Sequence, residues 1–456
     1  MIKRGAAVVL IGCLLWEMVF CTACFRISRG SVTVLGQDDE QMVELQSLSA
    51  GRGELSGNRY RAYLEAVLTE SETIVAEQRG CTVTEAQRYL LQSGSIITTA
   101  FNGAVYEAVN SAYKALACES LAFGCAVTDM QGNLLTLYSA AGTENAFYNH
   151  ATEKTPPYSS FKPLCVYTPA LESGKAVWSS AFLDAPIKKI TGKNGKQSDW
   201  PANADGSYSL QNTSLAYALK TSLNTVAVRC MQTVTVERSL QFMEDAWGLV
   251  LPYEKEKEKT MGEEEVIGNV ALGYLNGGIS PLDMAGYYQV FANGGVYTRP
   301  HTVLKIVDES GNILYEYQPE TRQAIKASTA YIMNHLLQNV LSPGGTGEKA
   351  TCDGIPVGGK TGTGDAGNWF VGFTPNYSCA VWHGTALKVN QACTVFANAV
   401  SAFPEGEKKT YPTCAGIEKA VYCCESGMLF SDKCRKADLG YYTSETMPGV
   451  CNIHVE

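Results

Sequence analysis

The sequence predicts an α+β fold in which an antiparallel sheet is flanked by clusters of helices. Apolar runs on either side of Asp129–Asn133 are typical of a β-hairpin, and Leu304–Tyr317 repeats the pattern around a polar turn. Two more short strands, Trp369–Phe373 and Tyr377–Trp382, are separated by another turn. Helical patterns lie between these hairpins, and this mixture indicates an α+β domain.

The helices are predicted from apolar residues that recur at helical spacing. Ser328 is a candidate N-cap for the last of them, and Pro343 would stop it. The charged run Glu254–Glu265 predicts a solvated loop. The predicted helices cover Ser214–Thr221, Val226–Met231, Leu240–Leu249 and Ser328–Leu341.

Length, charge and composition narrow the possible functions. The chain has 456 residues, of which 45% are hydrophobic and 18% charged, and this predicts two or three folded domains. A net charge of −9 without a basic stripe argues against a nucleic-acid partner. The five histidines form no His-Glu-Xaa-Xaa-His pair, so we expect neither a catalytic metal nor a cofactor.

Residues 1–25 are predicted to be an export signal or, as we favour, an uncleaved membrane anchor. Gly5–Phe25 is apolar apart from Glu17 and a few small polar residues, and two basic residues precede it. The chain would then lie at the cell membrane, with its remainder on the extracytoplasmic side. Residues 26–94 are polar and helix-prone, and we expect a stalk or linker there.

Residues 411–456 form a cysteine-rich tail. Outside the cytoplasm, this density of cysteines predicts at least one disulfide. A zinc site formed by Cys434, Cys451 and His454 is the alternative, although its spacing matches no standard pattern. The cysteines of the tail are Cys414, Cys423, Cys424, Cys434 and Cys451.

One short segment, Pro156–Pro163, carries a candidate nucleophile. Ser159 and Lys162 are three residues apart, so a helix that starts here places both side chains on one face. Pro163 fits the first turn, where backbone N–H groups have no helical partner. At the helix N-terminus the dipole favours a developing oxyanion, and a desolvated Lys162 would be neutral enough to take the serine proton. The alternative is that Ser159 only caps the helix.

Two further motifs follow along the chain. Ser222 and Asn224 are two residues apart and would not face one substrate from within a helix, so we expect them on a turn between helices. In the third motif, Gly362 suits a close approach of substrate to the backbone. Taken singly, the motifs also fit an ordinary polar turn and a glycine-rich strand end. The two motifs are Ser222-Leu223-Asn224 and Lys360-Thr361-Gly362-Thr363.

A phosphate-binding pattern overlaps the third motif. Gly354–Thr361 satisfies the P-loop spacing, whose mechanism needs a following helix to present N–H groups to phosphate. The glycine-rich stretch Gly362–Gly367 follows instead and leads into a strand, so a nucleotide site is not expected.

The three motifs, with their surroundings, resemble the transpeptidase module of penicillin-binding proteins, and specifically that of bifunctional class A members. The likeness covers roughly Leu90–Gly384. It implies a penicillin-binding, serine β-lactamase-like fold with a transpeptidase domain over residues 95–410. Other similar segments are Ile96–Thr99, Asn149–Thr152, Asp184–Ile187, Ala218–Ala227, Ser280–Ala285, Phe291–Val296 and Trp369–Pro375.

The resemblance implies a serine-type D,D-transpeptidase that cross-links peptidoglycan stem peptides ending in D-Ala-D-Ala. β-Lactams would inhibit it by acylating the same serine. The glycosyltransferase module of class A members has no counterpart before Ser159, so a separate glycosyltransferase is an expected partner.

The family's functional roles carry over to matching positions of this chain. Ser159 would be the acylated nucleophile, Lys162 its proton acceptor, and Ser222 the relay of the proton to the leaving amine. The N–H groups of Ser159 and Thr363 would form the oxyanion hole. The remaining implied contacts are Asn224 to the substrate amide, Lys360 and Thr361 to its terminal carboxylate, and Gly362 and Thr363 on the strand beside it.

Three departures from the family put the reaction rate in question. Tyr158 stands where the family usually has glycine, and Gly364 where it has a second threonine. Ala100–Asn102 replaces the usual Ile-Asp-Pro. We expect the Tyr158 ring to slow acylation, unless it packs against Pro156 or Pro157.

Other functions stay open from the sequence. A D,D-carboxypeptidase would use the same site and give the acyl group to water. A β-lactam sensor or partner-binding pseudoenzyme would have a slow site. A β-lactamase is less favoured, because no carboxylate is identified that would activate a deacylating water.

Overall fold

The structure is a computed structural model that describes residues 30–48, 51–118, 120–141, 148–191, 195–251, 263–387 and 389–454. The predicted anchor, residues 1–25, and most of the predicted loop Glu254–Glu265 lie outside these residues. Within the described part, no helix combines the length and apolar composition needed to cross a membrane.

The described chain contains eighteen strands and twelve α-helices. The strands are β1 Val32–Leu35, β2 Gln41–Leu45, β3 Ile96–Thr99, β4 Ala122–Asp129, β5 Leu134–Ala141, β6 Ala181–Leu183, β7 Lys188–Thr191, β8 Gln197–Trp200, β9 Asn212–Ser214, β10 Val296–Thr298, β11 Val303–Val307, β12 Ile313–Glu316, β13 Thr321–Gln323, β14 Gly358–Gly364, β15 Gly367–Phe373, β16 Tyr377–His383, β17 Ile417–Cys423 and β18 Ala437–Thr443. The helices are α1 Gly51–Glu54, α2 Arg61–Arg79, α3 Val83–Gln92, α4 Gly103–Lys114, α5 Thr168–Glu172, α6 Leu215–Thr221, α7 Asn224–Val234, α8 Val236–Trp247, α9 Glu263–Leu272, α10 Pro281–Ala292, α11 Ala327–Asn339 and α12 Ala392–Val400.

The central sheet has the strand order β14-β15-β16-β4-β5, and every neighbouring pair is antiparallel. Side chains alternate between the faces of a strand, so Phe370 and Phe373 of β15 point to opposite faces. Phe370 packs on Phe396 of α12 at a ring separation of 4.8 Å, and Phe373 lies 6.3 Å from Phe291 of α10. The sheet is therefore covered by helices on both faces, and all residues of β15 are buried. The predicted α+β class and antiparallel hairpins are confirmed.

A second five-stranded sheet, β12-β11-β3-β1-β2, joins the N-terminal strands to a hairpin much further along the chain. Strand β1 runs parallel to β3, and β11 pairs antiparallel with the other side of β3. Helix α2 packs beside this sheet, and its buried Tyr63 donates a hydrogen bond to the carbonyl of Leu134 in β5 (2.9 Å).

The described residues between 30 and 94 are thus folded against the rest of the chain, which corrects the expectation of a stalk. The polar composition that suggested a stalk belongs to the exposed side of α2. Its other side buries Leu64, Val67 and Val75. Another local correction concerns α11, which begins at Ala327 after Lys326, so Ser328 is not its N-cap.

The C-terminal hairpin, β17 and β18, rests on the helical side of the domain. The ring of Tyr441 in β18 stacks on His335 of α11 at 4.2 Å and contacts Trp178 at 5.0 Å. The thirteen cysteines within the described residues are all free thiols. This contradicts the expected disulfide, and three of the five sulfur atoms of the tail lie close to a histidine instead of pairing.

Candidate active site

The nucleophile segment is helical from Tyr158 to Glu172, but its hydrogen-bond spacing changes along its length. It opens as a 3-10 turn over Tyr158–Phe161, continues as a π-helix over Pro163–Tyr167, and ends as α5. Pro163 has no N–H to donate. Its carbonyl accepts two hydrogen bonds from Thr168, one from the hydroxyl (2.6 Å) and one from the backbone N–H. Ser159 lies within the first turn, as the helix prediction requires, and it is not the N-cap.

Lys162 is completely buried beneath the second motif. Its Nζ donates hydrogen bonds to the Ser222 carbonyl (2.9 Å) and to Oδ1 of Asn224 (2.7 Å), and it lies 3.5 Å from Oγ of Ser222. The backbone N–H of Lys162 donates to the Ser159 carbonyl, but among the described residues no hydrogen bond joins Nζ of Lys162 to the hydroxyl of Ser159. In enzymes without bound substrate such a bond is often long and tightens only in the complex.

The second motif lies on a turn between two helices, as predicted from its spacing. Ser222 ends α6 in the left-handed region, with φ of 63°, and its N–H is directed to the carbonyls of Ala218 and Leu219. Asn224 begins α7, and its side-chain amide donates to the Ala202 carbonyl (2.7 Å). The left-handed residue reverses the chain sharply, so that the side chains of Ser222 and Asn224 both reach Lys162. We call Thr221–Asn224 the Ser222 turn.

The third motif lies on β14, which is one of the two edge strands of the central sheet. Lys360 is fully buried, and its Nζ donates to Oγ of Ser222 (2.9 Å) and to the Thr361 carbonyl (3.1 Å). A Cβ at Gly362 would overlap the carbonyl oxygen of Pro157 and lie 3.1 Å from Oγ of Ser160. The glycine therefore lets the strand approach the nucleophile segment, which is a different reason from the close approach of substrate that we expected.

Burial sets the charge state of both lysines. It lowers the pKa of Lys162 well below its ordinary value, and the charge of Lys360 lowers it further. Burial also lowers the pKa of Lys360, to about 7. A lowered pKa makes the neutral amine of Lys162 more accessible, and a neutral amine can accept a proton.

These groups surround a cleft of about 990 Å³. Five of the eight predicted site residues line it, and the two lysines lie buried beneath it. Gly362 faces the nucleophile segment. The five lining residues are Ser159, Ser222, Asn224, Thr361 and Thr363.

Comparison with known proteins identifies the family of this chain. The family described as "Penicillin binding protein transpeptidase domain" matches residues 124–398. The chain belongs to this family.

Penicillin-binding protein 1A from Clostridium botulinum strain Hall is 34% identical over 261 residues, which are 56% of this chain and 30% of the relative. The chain thus spans less than a third of that relative's length. The D,D-transpeptidase domain of a peptidoglycan glycosyltransferase from Eggerthella lenta superposes with a TM-score of 0.60 at 18% identity, over 82% of this chain and 98% of that domain. PonA1 from Mycobacterium tuberculosis, in complex with penicillin V, gives 0.59 at 19% identity, over 77% and 96% of the two chains. These two similarities establish the penicillin-binding fold.

Within this penicillin-binding transpeptidase fold, two departures from the family pattern are in contact. Tyr158 has φ of 50°, a conformation that glycine adopts without strain. Its buried ring lies where a side chain at position 364 would be, because a Cβ at Gly364 would overlap the ring. The phenol donates to Oδ1 of Asp365 (2.6 Å) and accepts from the N–H of Ala366 (2.8 Å). The ring thus packs on the β14–β15 turn, a site that neither sequence expectation named.

Burial, followed by the hydrogen bond to Asp365, raises the pKa of Tyr158 to about 12. The phenol therefore stays protonated and keeps donating to the carboxylate at neutral pH. We call Pro157–Phe161 the Tyr158 turn.

Three polar residues that were not predicted from the sequence also line the cleft. Thr346 accepts a hydrogen bond from the hydroxyl of Thr361 (3.0 Å), and Asn203 accepts one from the N–H of Asn224 (2.9 Å). The side-chain amide of Asn390 lies within 3.3 Å of the Gly362 carbonyl and the Thr363 hydroxyl. These three residues lie outside the motifs, and only the fold brings them to the site.

Proposed function

We propose that this chain is a serine-type D,D-transpeptidase that cross-links peptidoglycan stem peptides through an acyl-enzyme on Ser159. The observation that carries the proposal is the fully buried Lys162, held by Ser222 and Asn224 beneath a cleft lined by Ser159. A buried lysine without a carboxylate partner is costly for a fold, and its depressed pKa suits a general base. Family membership gives the same reaction class.

In the acylation step, neutral Lys162 accepts the proton of Ser159 Oγ. The oxygen then attacks the carbonyl carbon of the penultimate D-alanine. The N–H groups of Ser159 and Thr363 are the proposed donors to the oxyanion, whose charge is fully developed only in the tetrahedral state. Collapse of this state breaks the amide bond, and terminal D-alanine leaves with a proton relayed through Ser222.

The substrate is proposed to bind along the free edge of β14. Lys360 and Thr361 receive its terminal carboxylate, Asn224 holds its amide, and Gly362 and Thr363 lie beside its backbone. An exposed sheet edge suits an extended peptide, because main-chain hydrogen bonds supply affinity. Lys360 also donates to Ser222 (2.9 Å), so the carboxylate anchor and the proton relay are physically linked.

In the second step, the amine of another stem peptide attacks the ester. This forms the cross-link, releases Ser159 and returns a proton to it through Lys162. A β-lactam would acylate Ser159 by the first step and block the second. We further propose that the domain works on the extracytoplasmic side of the cell membrane, where its substrate is found, alongside a separate glycosyltransferase.

The test is covalent labelling with a fluorescent penicillin. We expect one adduct on the peptide that contains Ser159, identified by mass spectrometry. Ser159→Ala should abolish it, whereas Ser173→Ala, at the C-cap of the same helical segment, should label like wild type. Undiminished labelling of Ser159→Ala would refute the assignment.

The acceptor is tested with a D-Ala-D-Ala donor peptide and an amine acceptor. Cross-linked product supports a transpeptidase. Release of terminal D-alanine with hydrolysed donor alone would identify a D,D-carboxypeptidase. A protein that binds penicillin reversibly, without adduct or turnover, would be a sensor or pseudoenzyme.

A further inference from the structure

Three thiols and one imidazole meet at the end of the C-terminal hairpin. Cys423 ends β17, Cys434 lies in the following loop, and Cys451 and His454 come after β18. One potential ligand atom from each residue lies within 4.8 Å of the other three. We propose that these four residues bind a structural zinc ion.

The two distances from the imidazole nitrogen to sulfur are close to those of a tetrahedral site. Zinc bonds of about 2.3 Å to sulfur and about 2.0 Å to nitrogen imply separations of roughly 3.5 to 3.8 Å between ligand atoms. Nδ1 of His454 lies 3.3 Å from Sγ of Cys451 and 3.6 Å from Sγ of Cys423. Three cysteines with one histidine form a ligand set used in structural zinc sites, in which the protein fills all four positions.

The surrounding hydrogen bonds fit a metal ligand set. Nε2 of His454 lies 2.8 Å from Oε2 of Glu425, and this contact places the ring proton on Nε2 and leaves the Nδ1 lone pair toward the sulfur atoms. Ser426 Oγ donates to Sγ of Cys451 (3.3 Å), and the Ser431 N–H donates to Sγ of Cys434 (3.4 Å). Such donors stabilise thiolates, and the three thiol protons would leave to solvent as the ion binds.

A disulfide accounts for this arrangement less well. It would use two sulfur atoms about 2.0 Å apart and leave the third thiol and the oriented imidazole without a role. The pair His454–Glu425 has no function in a disulfide, whereas histidine bound to zinc usually passes its other N–H to a carboxylate or carbonyl. Thiolate and imidazole donors also favour zinc over magnesium or calcium, which prefer oxygen.

The ion would stabilise the hairpin, which is too small to be stable without other support. Two strands alone are marginally stable in water. The metal would close the loops on both sides of β18 and fix the turn at Gly427. That turn meets the domain, because the Ser179 hydroxyl donates to the Gly427 carbonyl (2.5 Å). Tyr422, next to Cys423, lies 3.2 Å from the hydroxyl of Ser214, the N-cap of α6.

Metal analysis of the full chain, purified without chelator or added reductant, tests the proposal. We expect stoichiometric zinc in wild type. Cobalt replacement should produce thiolate charge-transfer absorption and the visible bands of a four-coordinate ion. Cys434→Ser should lose the zinc, whereas Cys424→Ser, whose sulfur is not in the cluster, should keep it. Glu425→Gln keeps all four ligands and should weaken zinc affinity about 10- to 100-fold.

Chelation provides a second measurement. It should lower the unfolding temperature of wild type and leave that of Cys434→Ser unchanged, because stabilisation by the ion is already lost there. A wild-type protein without zinc, or one in which peptide mapping joins any two of the three cysteines by a disulfide, would overturn the proposal. Equal zinc in Cys434→Ser and wild type would do the same. None of these outcomes depends on the transpeptidase activity.

Discussion

Ser222 and Tyr158 are both left-handed, non-glycine residues that line the cleft, but different forces hold them in that conformation. The Ser222 turn is stabilised by polar contacts of Ser222 itself. The N–H of Ser222 is directed to carbonyls at the end of α6, its carbonyl accepts from Lys162, and its hydroxyl accepts from Lys360. The Tyr158 turn is stabilised by packing, through a buried ring that takes up the space above Gly364. Each conformation costs about 1 to 2 kcal/mol.

The two turns therefore differ in what a substitution should change, which is the reaction at Ser222 and the packing at Tyr158. At Ser222 the contacts involve the groups proposed to move protons, so the side chain cannot be exchanged without changing the reaction. At Tyr158 the contacts with Gly364 are van der Waals packing, so another pair of residues at positions 158 and 364 could fill the same volume. Four predictions test this distinction, from the largest expected effect to the smallest.

We expect Ser222→Gly to acylate with penicillin about 10²- to 10⁴-fold more slowly, because it loses the hydroxyl that contacts Lys360 and lies close to Lys162. Its free energy of unfolding should exceed that of Ser222→Ala by about 1 kcal/mol, because glycine tolerates positive φ. Stopped-flow acylation and urea unfolding measure the two effects. If Ser222→Ala acylated at the wild-type rate, the hydroxyl would have no part in proton transfer.

We expect Lys360→Met to weaken donor-peptide binding about 10- to 100-fold, because it removes a charged partner of the carboxylate. It should also move the acidic limb of the acylation profile to higher pH. Lys162 must be neutral to accept a proton, and the charge of Lys360 lowers the pKa of Lys162, so loss of that charge raises it. The effect should be seen below about pH 7, where Lys360 is protonated.

Lys360→Arg retains a positive charge and is the control for this shift. The measurement is the pH at which the acylation rate reaches half of its maximum. If Lys360→Met did not shift the acidic limb, the charge of Lys360 would have no influence on the pKa of Lys162.

For the Tyr158 turn we expect energetic coupling between positions 158 and 364. Gly364→Ala should destabilise wild type by about 1 to 3 kcal/mol through overlap with the ring, and much less in a Tyr158→Gly background. A double-mutant cycle should give about 0.5 to 3 kcal/mol of coupling. The expectation that Tyr158→Gly acylates faster, by up to about 10²-fold, stays a prediction. Additive changes in stability would contradict the packing explanation.

The smallest effect is expected from Asn390→Ala. This change removes the amide that lies between the Gly362 carbonyl and the Thr363 hydroxyl at the strand edge. We expect a loss of about 1 kcal/mol in donor binding, which is a change of about fivefold, with little effect on the penicillin adduct itself. Asn390→Asp, which preserves the shape but not the donors, should behave like the alanine variant.

Patterns that depend on neighbouring residues were predicted well. The hairpins at β4–β5, β11–β12 and β15–β16 follow from apolar runs around polar turns, and α6 begins at Leu215, directly after its N-cap Ser214. Residues two apart do not share a helix face, so Ser222 and Asn224 were predicted on a turn, and the Ser222 turn lies between α6 and α7. Lys360 lies within β14 and is followed by β15, so in this described part of the chain no helix presents N–H groups to phosphate as a P-loop requires.

Features that depend on contacts between distant residues were not predicted. Thr346 and Asn390 carry no local signal, and the π-helix after Lys162 depends on a proline carbonyl that accepts two donors. The contact between Tyr158 and Gly364 spans 206 positions, although both had been noted singly as departures. Cys423 was not among the ligands expected for the zinc alternative, because the spacing of the cysteines matches no standard pattern, and the fold of the hairpin brings it to Cys434, Cys451 and His454.

The second sheet has a consequence for the order in which the protein can fold. Strand β3, Ile96–Thr99, lies between β1 and β11, and β11 begins only at Val303. At a synthesis rate of about 5 to 20 residues per second, the edge of β3 that pairs with β11 stays unpaired for roughly 10 to 40 seconds. During that interval the chain exposes an open strand edge and the apolar side of α2, both of which invite aggregation. The second sheet can therefore close only after the last third of the chain has begun to emerge.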